Sequence, residues 1–305
     1  MRSPLRWSPR SFFLNICLPV VLLCLSVVTI TANGARYMRN FMRGLPPIAS
    51  ENDLWPWLWL SRHPHLFPSG FAFSITLLGI LLVHEFGHYF ACRRYGIHAT
   101  YPYFLPAPTL IGTLGAFIRI KSPIVNRREL FDVGISGPIA GFVLAIPALI
   151  LAIFLTRGTM PATTPDSISL GNPLAVILLT KLFRSGINPA KIILHPVGCA
   201  AWVGLFATAL NLLPVGQLDG GHILYAVLGD KCRTISRGFF LVLLPLGYFC
   251  WYGWLAWAVI LFFLGLRHPK VIEPVEPLGR KRKILALVAA IILVLTFLPT
   301  PFKIQ

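Results

Sequence analysis

Acidic side chains are scarce in this sequence: 10 Asp and Glu are spread over 305 residues, and charges of both signs make up only 12%. A water-soluble domain carries about 25% charged residues, so a solvated surface of the ordinary kind is excluded. The six cysteines (Cys17, Cys24, Cys92, Cys199, Cys232 and Cys250) show no C-x-x-C spacing and mostly fall in apolar runs. They read as small buried hydrophobes, not as a disulfide framework or a thiolate metal cluster. No internal repeat or low-complexity tract is evident, and no stretch outside the apolar runs is long enough for an added soluble domain.

What the chain has in excess is apolar surface: 56% hydrophobic residues and a mean hydropathy of +0.73. It reads as a polytopic membrane protein. The net charge of +17 could suit a nucleic-acid binder. Here the basic residues stand between apolar runs, as loop anchors of a membrane protein do, so the bilayer and not nucleic acid is the expected partner.

Apolar runs long enough to span as helices cover 12–32, 71–92, 131–155, 194–213 and 284–300. The run 238–266 contains Pro245, Gly247 and Gly253, which favours a hairpin of two short helices over one long tilted helix. The piece 172–183 suits an interfacial or re-entrant helix. The expected fold is therefore an all-α polytopic membrane protein with about six to seven transmembrane helices, a figure set by the run lengths. With the N-terminus inside, two thirds of the 27 Lys and Arg fall on the inner side, although Arg36, Arg39 and Arg43 follow the first span on the outside.

The first run is expected to be an uncleaved anchor, with a signal peptide cut near Ala32-Asn33-Gly34 as the alternative. The segment 50–68 is rich in Trp and Pro and suits the outer membrane boundary, where His63 and His65 read as loop histidines before they read as metal ligands. Three parts follow: 1–69 as anchor and interfacial segment, 70–267 as core, and 268–305 as basic linker plus C-terminal span.

Within the second run stands "GILLVHEFGHYFACRRYG", residues 79–96. A charge at mid-bilayer costs about 2.5–3.5 kcal/mol on insertion scales, so His84, Glu85 and His88 need a compensating partner. Residues four apart share one helix face, so His84 and His88 can hold one zinc ion, and Glu85 is placed to act as general base. A catalytic zinc needs a third protein ligand at similar depth. The span 194–213 runs in the same direction and is followed by "NLLPVGQLDGGH", residues 211–222, which brings Asp219 in a loop to the same side. Glu51 and Asp53 lie on the opposite face, and Glu129 and Asp132 open a span beside arginines. Asn211 can donate to an oxyanion or simply cap its own helix end. His222 ranks below the other ligands, because four protein ligands would close the site.

HEFGH on one helix with NLLPVGQLDGG on a later one resembles the site-2 protease family of intramembrane zinc metalloproteases, over roughly 70–267. The resemblance implies one Zn2+ per chain held by His84, His88 and Asp219. It further implies Glu85 as the residue that activates water and Asn211 as an aid to substrate or intermediate binding. The expected substrate is a membrane protein cut in or near its transmembrane segment. The expected setting is a bacterial cytoplasmic membrane with the active site toward the cytoplasm.

"GTLGAFIRIKSP" (112–123) alternates like a short β-hairpin or re-entrant loop beside the active site, whose edge could bind unwound substrate. "GISGPIAGF" (134–142) places small residues for close helix packing. The segment 156–193 leaves no room for the PDZ domain that many family members carry there, and no CBS-like extension is expected. Two readings of other classes stand beside the protease: a membrane metal-ion transporter or sensor, and a non-catalytic scaffold of the same fold.

Overall fold

The computed structural model describes residues 13–156, 167–265, 271–272 and 278–304. Arg2, Arg6, Arg10, Arg267 and Lys270, all used in the orientation count, lie outside the described residues, as does most of the basic linker.

Nine helices of eight or more residues are described. They are α1 (Leu18–Met42), α2 (Phe71–Arg94), α3 (Arg127–Leu155), α4 (Leu174–Phe183), α5 (Pro196–Asn211), α6 (Asp219–Leu228), α7 (Cys232–Phe249), α8 (Gly253–Leu264) and α9 (Arg280–Thr296). Three helical stretches, Phe13–Met42, Pro64–Arg94 and Arg127–Leu155, are long and apolar enough to cross a membrane. Strands β1 (Tyr103–Pro106) and β2 (Thr113–Phe117) pair antiparallel, as do β3 (Ile168–Leu170) and β4 (Phe302–Ile304).

The core is a bundle of α2, α3 and α5. Most of α5 is buried on all sides, the signature of a central helix. Its small residues permit this. A Cβ on Gly204 would come within 2.7 Å of Ile80 on α2, and one on Gly198 within 2.7 Å of Ala152 on α3. Such close approach lets dispersion hold the helices together where lipid offers no hydrophobic driving force. Trp202, fully buried on α5, satisfies its indole N–H at the Gly171 carbonyl, 2.6 Å away. Outward-facing apolar side chains on α1 (Val20, Leu25), α3 (Val143, Phe154) and α8 (Phe262, Phe263) are exposed. In water they would form an aggregation surface; against acyl chains they are at no disadvantage.

Four boundaries differ from the sequence reading. First, α1 runs ten residues past the apolar run, to Met42, because its polar residues find buried partners. Arg36 is 1% exposed, lies over the Tyr37 ring and donates to the carbonyls of Asp53 (2.5 Å) and Leu110 (2.8 Å). Arg39 pairs with Asp53 at 2.5 Å. These arginines belong to the helix and not to an outer loop. Ala32, Asn33 and Gly34 are buried in mid-helix, and a Cβ on Gly34 would overlap the Gly70 carbonyl.

Second, the 238–266 run is indeed two helices, but the break falls at 250–252, with Pro245 inside α7. Third, α9 stops at Thr296, and the chain turns at Pro299 and Pro301 into β4. Fourth, the alternating stretch 112–123 supplies only one strand of its hairpin. The partner is β1, which lies before it, and a bulge between Phe104 and Pro106 is matched by Gly115 at φ 104°.

One end of the bundle gathers basic residues from three helices. Arg93 and Arg94 close α2, Arg127 and Arg128 open α3, and Arg280–Lys283 open α9. Arg282 joins these ends by a bidentate pair with Asp132 (2.8 and 2.7 Å), which also accepts from the Tyr95 hydroxyl. Asp132→Ala leaves both donors without their acceptor. The partly exposed pair sets the expected loss at about 1–2 kcal/mol, read as a lower unfolding temperature in detergent. Arg282→Lys should recover only part of what Arg282→Ala loses, since an ammonium cannot reproduce the bidentate fork.

Candidate metal centre

His84 and His88 lie toward the basic end of α2, one turn apart on its α3-facing side. Two glycines of α3 leave room for their rings. A Cβ on Gly137 would overlap the His88 imidazole, and one on Gly141 would sit 3.1 Å from His84 Nδ1. The helix backbones already touch nearby, since a Cβ on Gly87 would come within 2.6 Å of the Ser136 carbonyl. The Val133 carbonyl accepts from His88 Nδ1 at 2.7 Å. A carbonyl can only accept, so the proton sits on Nδ1 and the Nε2 lone pair faces inward.

The third donor arrives by a tight reversal. α5 ends at Asn211, Gly216 adopts φ 57°, and the chain re-enters a helix at Asp219. Asp219 is thus the first residue of α6, not a loop residue. Gly220 and Gly221 are required by close approach: a Cβ on either would overlap carbonyls of the 212–216 turn.

The three donors converge. His84 Nε2 and His88 Nε2 are 3.2 Å apart, and Asp219 Oδ2 lies 3.4 and 3.3 Å from them. Zinc–nitrogen and zinc–oxygen bonds of about 2.0–2.2 Å in a tetrahedron require ligand atoms roughly 3.3–3.5 Å apart. The triangle has the edge length of one face of a zinc tetrahedron, with the fourth corner left for water or substrate. Two imidazole lone pairs and a carboxylate facing one another are reconciled by a cation, so the residues present fit zinc. Among the described residues no other His, Cys, Asp or Glu group offers three such donors.

Glu85 is 6% exposed and accepts a hydrogen bond from the backbone of Ile118, just past β2. Asn211 Nδ2 is 3.2 Å from His84 Nε2. A cavity of about 250 Å³ joins them, lined by the three donors, Glu85, Asn211 and His222 on one side and by Ala116, Ile118 and Ile120 of the hairpin region on the other. His222 is one turn beyond Asp219 and borders the cavity outside the donor triangle.

The other residues weighed from sequence lie elsewhere. His63 stacks on Trp59 and contacts the Trp59 carbonyl at 3.1 Å, with His65 alongside. Glu129 accepts from Asn126 and Val125 at the start of α3, and Asp53 is held by Arg39 and Asn40. Sequence reasoning missed the seats made by Gly137 and Gly141, the Val133 carbonyl and the Ile118 N–H. Only the glycines left a signal, their four-residue spacing in "GISGPIAGF".

A model of Peptidase family M50 matches residues 72–249. The "Probable zinc metalloprotease EGY2, chloroplastic" of Oryza sativa subsp. indica is 34% identical over 249 residues, covering 78% of this chain and 44% of that protein. The Arabidopsis thaliana protein of the same name is 29% identical over 274 residues, covering 86% and 47%. The "Probable zinc metalloprotease EGY1, chloroplastic" of Arabidopsis thaliana is 33% identical over 236 residues, covering 73% and 42%. The chain therefore spans less than half the length of these relatives. All three are described as chloroplastic, so the comparisons give no support to a bacterial cytoplasmic membrane; what they and the apolar helices support is a membrane protein.

Proposed function

This chain belongs to Peptidase family M50, and on that premise we propose that it is an intramembrane zinc endopeptidase that cuts a membrane protein in or near a transmembrane segment. The observation that carries the reading is the donor triangle of His84, His88 and Asp219 with Glu85 in the same cavity. His84 Nε2, His88 Nε2 and Asp219 Oδ2 would hold the metal. When bound, zinc supplies Lewis acidity toward the scissile carbonyl and a nucleophile at neutral pH.

The chain's own groups do the rest. The Glu85 carboxylate takes a proton from the attacking water and delivers it to the leaving amine, and burial beside Ile118 keeps it aimed into the cavity. The Asn211 amide donates toward the developing oxyanion. It donates to His84 Nε2 in this structure, and metal on that nitrogen would free it. Among the described residues β2 is paired only with β1, so its other edge can take up an unwound substrate strand. Unwinding matters because a helix hides its carbonyls in its own hydrogen bonds. The shorter helices α5, α7, α8 and α9 would complete a bundle of six to seven crossings, with the metal toward the basic face.

The test uses purified full chain with single-span membrane proteins, fragments mapped by mass spectrometry. Cleavage within or beside the span, abolished by chelation and restored by zinc, is the expected result. Metal flux across vesicles without cleavage would favour a transporter instead. Asp219→Ala removes one vertex of the triangle and should take zinc from one per chain to near zero in elemental analysis. Retention of a full equivalent would remove Asp219 from the ligand set.

A further inference from the structure

The β1–β2 hairpin stands between two hollows, of which the metal cavity is one. Ala116, Ile118 and Ile120 border the metal cavity, while Tyr103, Leu105, Arg119 and Lys121 line a second groove of about 590 Å³, and Phe117 borders both. That volume lies within the range of ligand pockets. The opposite wall is one stripe of the first helical stretch, with Leu14, Leu18 and Leu22 four residues apart. Tyr103 and Phe117 stack at 5.5 Å across the hairpin, and the Tyr103 hydroxyl donates to the Leu14 carbonyl at 2.7 Å, which ties the two walls together.

The charge in this groove is all of one sign. Lys121 Nζ donates to the neutral amide oxygen of Asn15 at 2.7 Å, and no carboxylate among the described residues meets it or the Arg119 guanidinium. Both cations are exposed. They sit at the basic end of the bundle, because Ala99 pairs with Ile120 just past the end of α2 and Lys121 shortly precedes α3. An apolar trough with two unanswered cations at its membrane-boundary end is complementary to a molecule with an acyl chain and an anionic head.

We propose that this groove binds a membrane phospholipid with an anionic head group, its phosphate on Arg119 and Lys121 and one acyl chain along Leu18, Leu22, Leu105 and Phe117. The lipid then lies against the hairpin that also borders the metal cavity. The proposal does not depend on the peptidase reading and can be tested without substrate.

The full chain in detergent is titrated with dioleoyl phosphatidylglycerol or dioleoyl phosphatidylcholine, and lipids retained per chain are counted by native mass spectrometry. Wild type should retain phosphatidylglycerol preferentially. Each interfacial charge contributes roughly fivefold, so Arg119→Gln with Lys121→Gln should weaken that lipid about 10- to 30-fold and leave phosphatidylcholine unchanged. The charge-preserving pair Arg119→Lys with Lys121→Arg should keep the preference, which separates lost charge from misfolding. Lys281→Gln with Lys283→Gln, on exposed basic residues of α9, should have little effect.

Several results would overturn the proposal. One is a wild type without head-group preference. Another is an equal loss in the α9 control. Displacement of the lipid by inorganic phosphate or glycerol phosphate alone would make the groove an ion site without a chain. Displacement by a single-span peptide would make it a substrate entrance.

Discussion

Glu85→Gln should lower cleavage by about 10²- to 10⁴-fold while one zinc per chain is retained, the range expected when a positioned general base is removed. The substitution preserves shape, and the amide oxygen can still accept from Ile118, so the hairpin keeps its place against α2. What is lost is the ability to take a proton from water. Glu85 is not one of the three converging donors, so metal content should not fall with activity. Single-turnover cleavage and elemental analysis on the same preparation check both halves. Less than a tenfold loss would remove Glu85 from the proton-transfer role. Loss of zinc together with activity would make it a positioning residue of the metal site.

Gly137→Ala should abolish metal binding without touching any ligand. The new methyl would occupy the space of the His88 imidazole, and α2 cannot draw back easily because Gly87 already packs against Ser136. His88 would have to rotate, giving up the Val133 carbonyl and its place in the triangle. Overpacking of this kind costs about 1–3 kcal/mol, so the chain should still fold, with a lower unfolding temperature. Zinc content and cleavage should both fall more than tenfold. Gly79→Ala on α2 is the control, since its Cβ would meet only Leu144 at 3.8 Å. Gly141→Ala should be intermediate, because its Cβ would stand 3.1 Å from the His84 ring, contact without overlap. If Gly137→Ala binds zinc normally, the glycine is a helix-packing residue only.

Much of the site was legible because it is written in local periodicity. A four-residue spacing fixes a shared helix face, so His84 and His88 had to point the same way. The direction of two apolar runs brought Asp219 to the same end of the bundle as the histidines. Depth is a one-dimensional property, and alternating apolar runs encode it. The secondary structure at Asp219 was not legible: two following glycines suggest a turn, yet they serve as flat ground on which α6 starts against the 212–216 carbonyls. The hairpin partner was hidden for a related reason. Alternation in 113–117 announces a strand but not where its neighbour lies.

Polar residues misled where burial supplied partners. Arg36 reads as an outer-loop charge and in fact sits inside the bundle on two carbonyls. Asp132, set aside beside local arginines, is paired with Arg282 from the far end of the chain. Partners so distant in sequence are chosen by packing alone.

By itself, then, the sequence determined a membrane-embedded helical chain, the helix that carries His84, Glu85 and His88, and the second segment that carries Asp219. These follow from hydropathy, from 3.6-residue periodicity and from the rule that a buried charge needs a counterpart. Only the tertiary structure decided that the three donors form a triangle of zinc dimensions, that Gly137 and Gly141 make room for the imidazoles, and that Val133 fixes one tautomer. Those are distances between atoms on different helices. They depend on how closely two backbones approach, and no run of residues records that distance until the helices are packed.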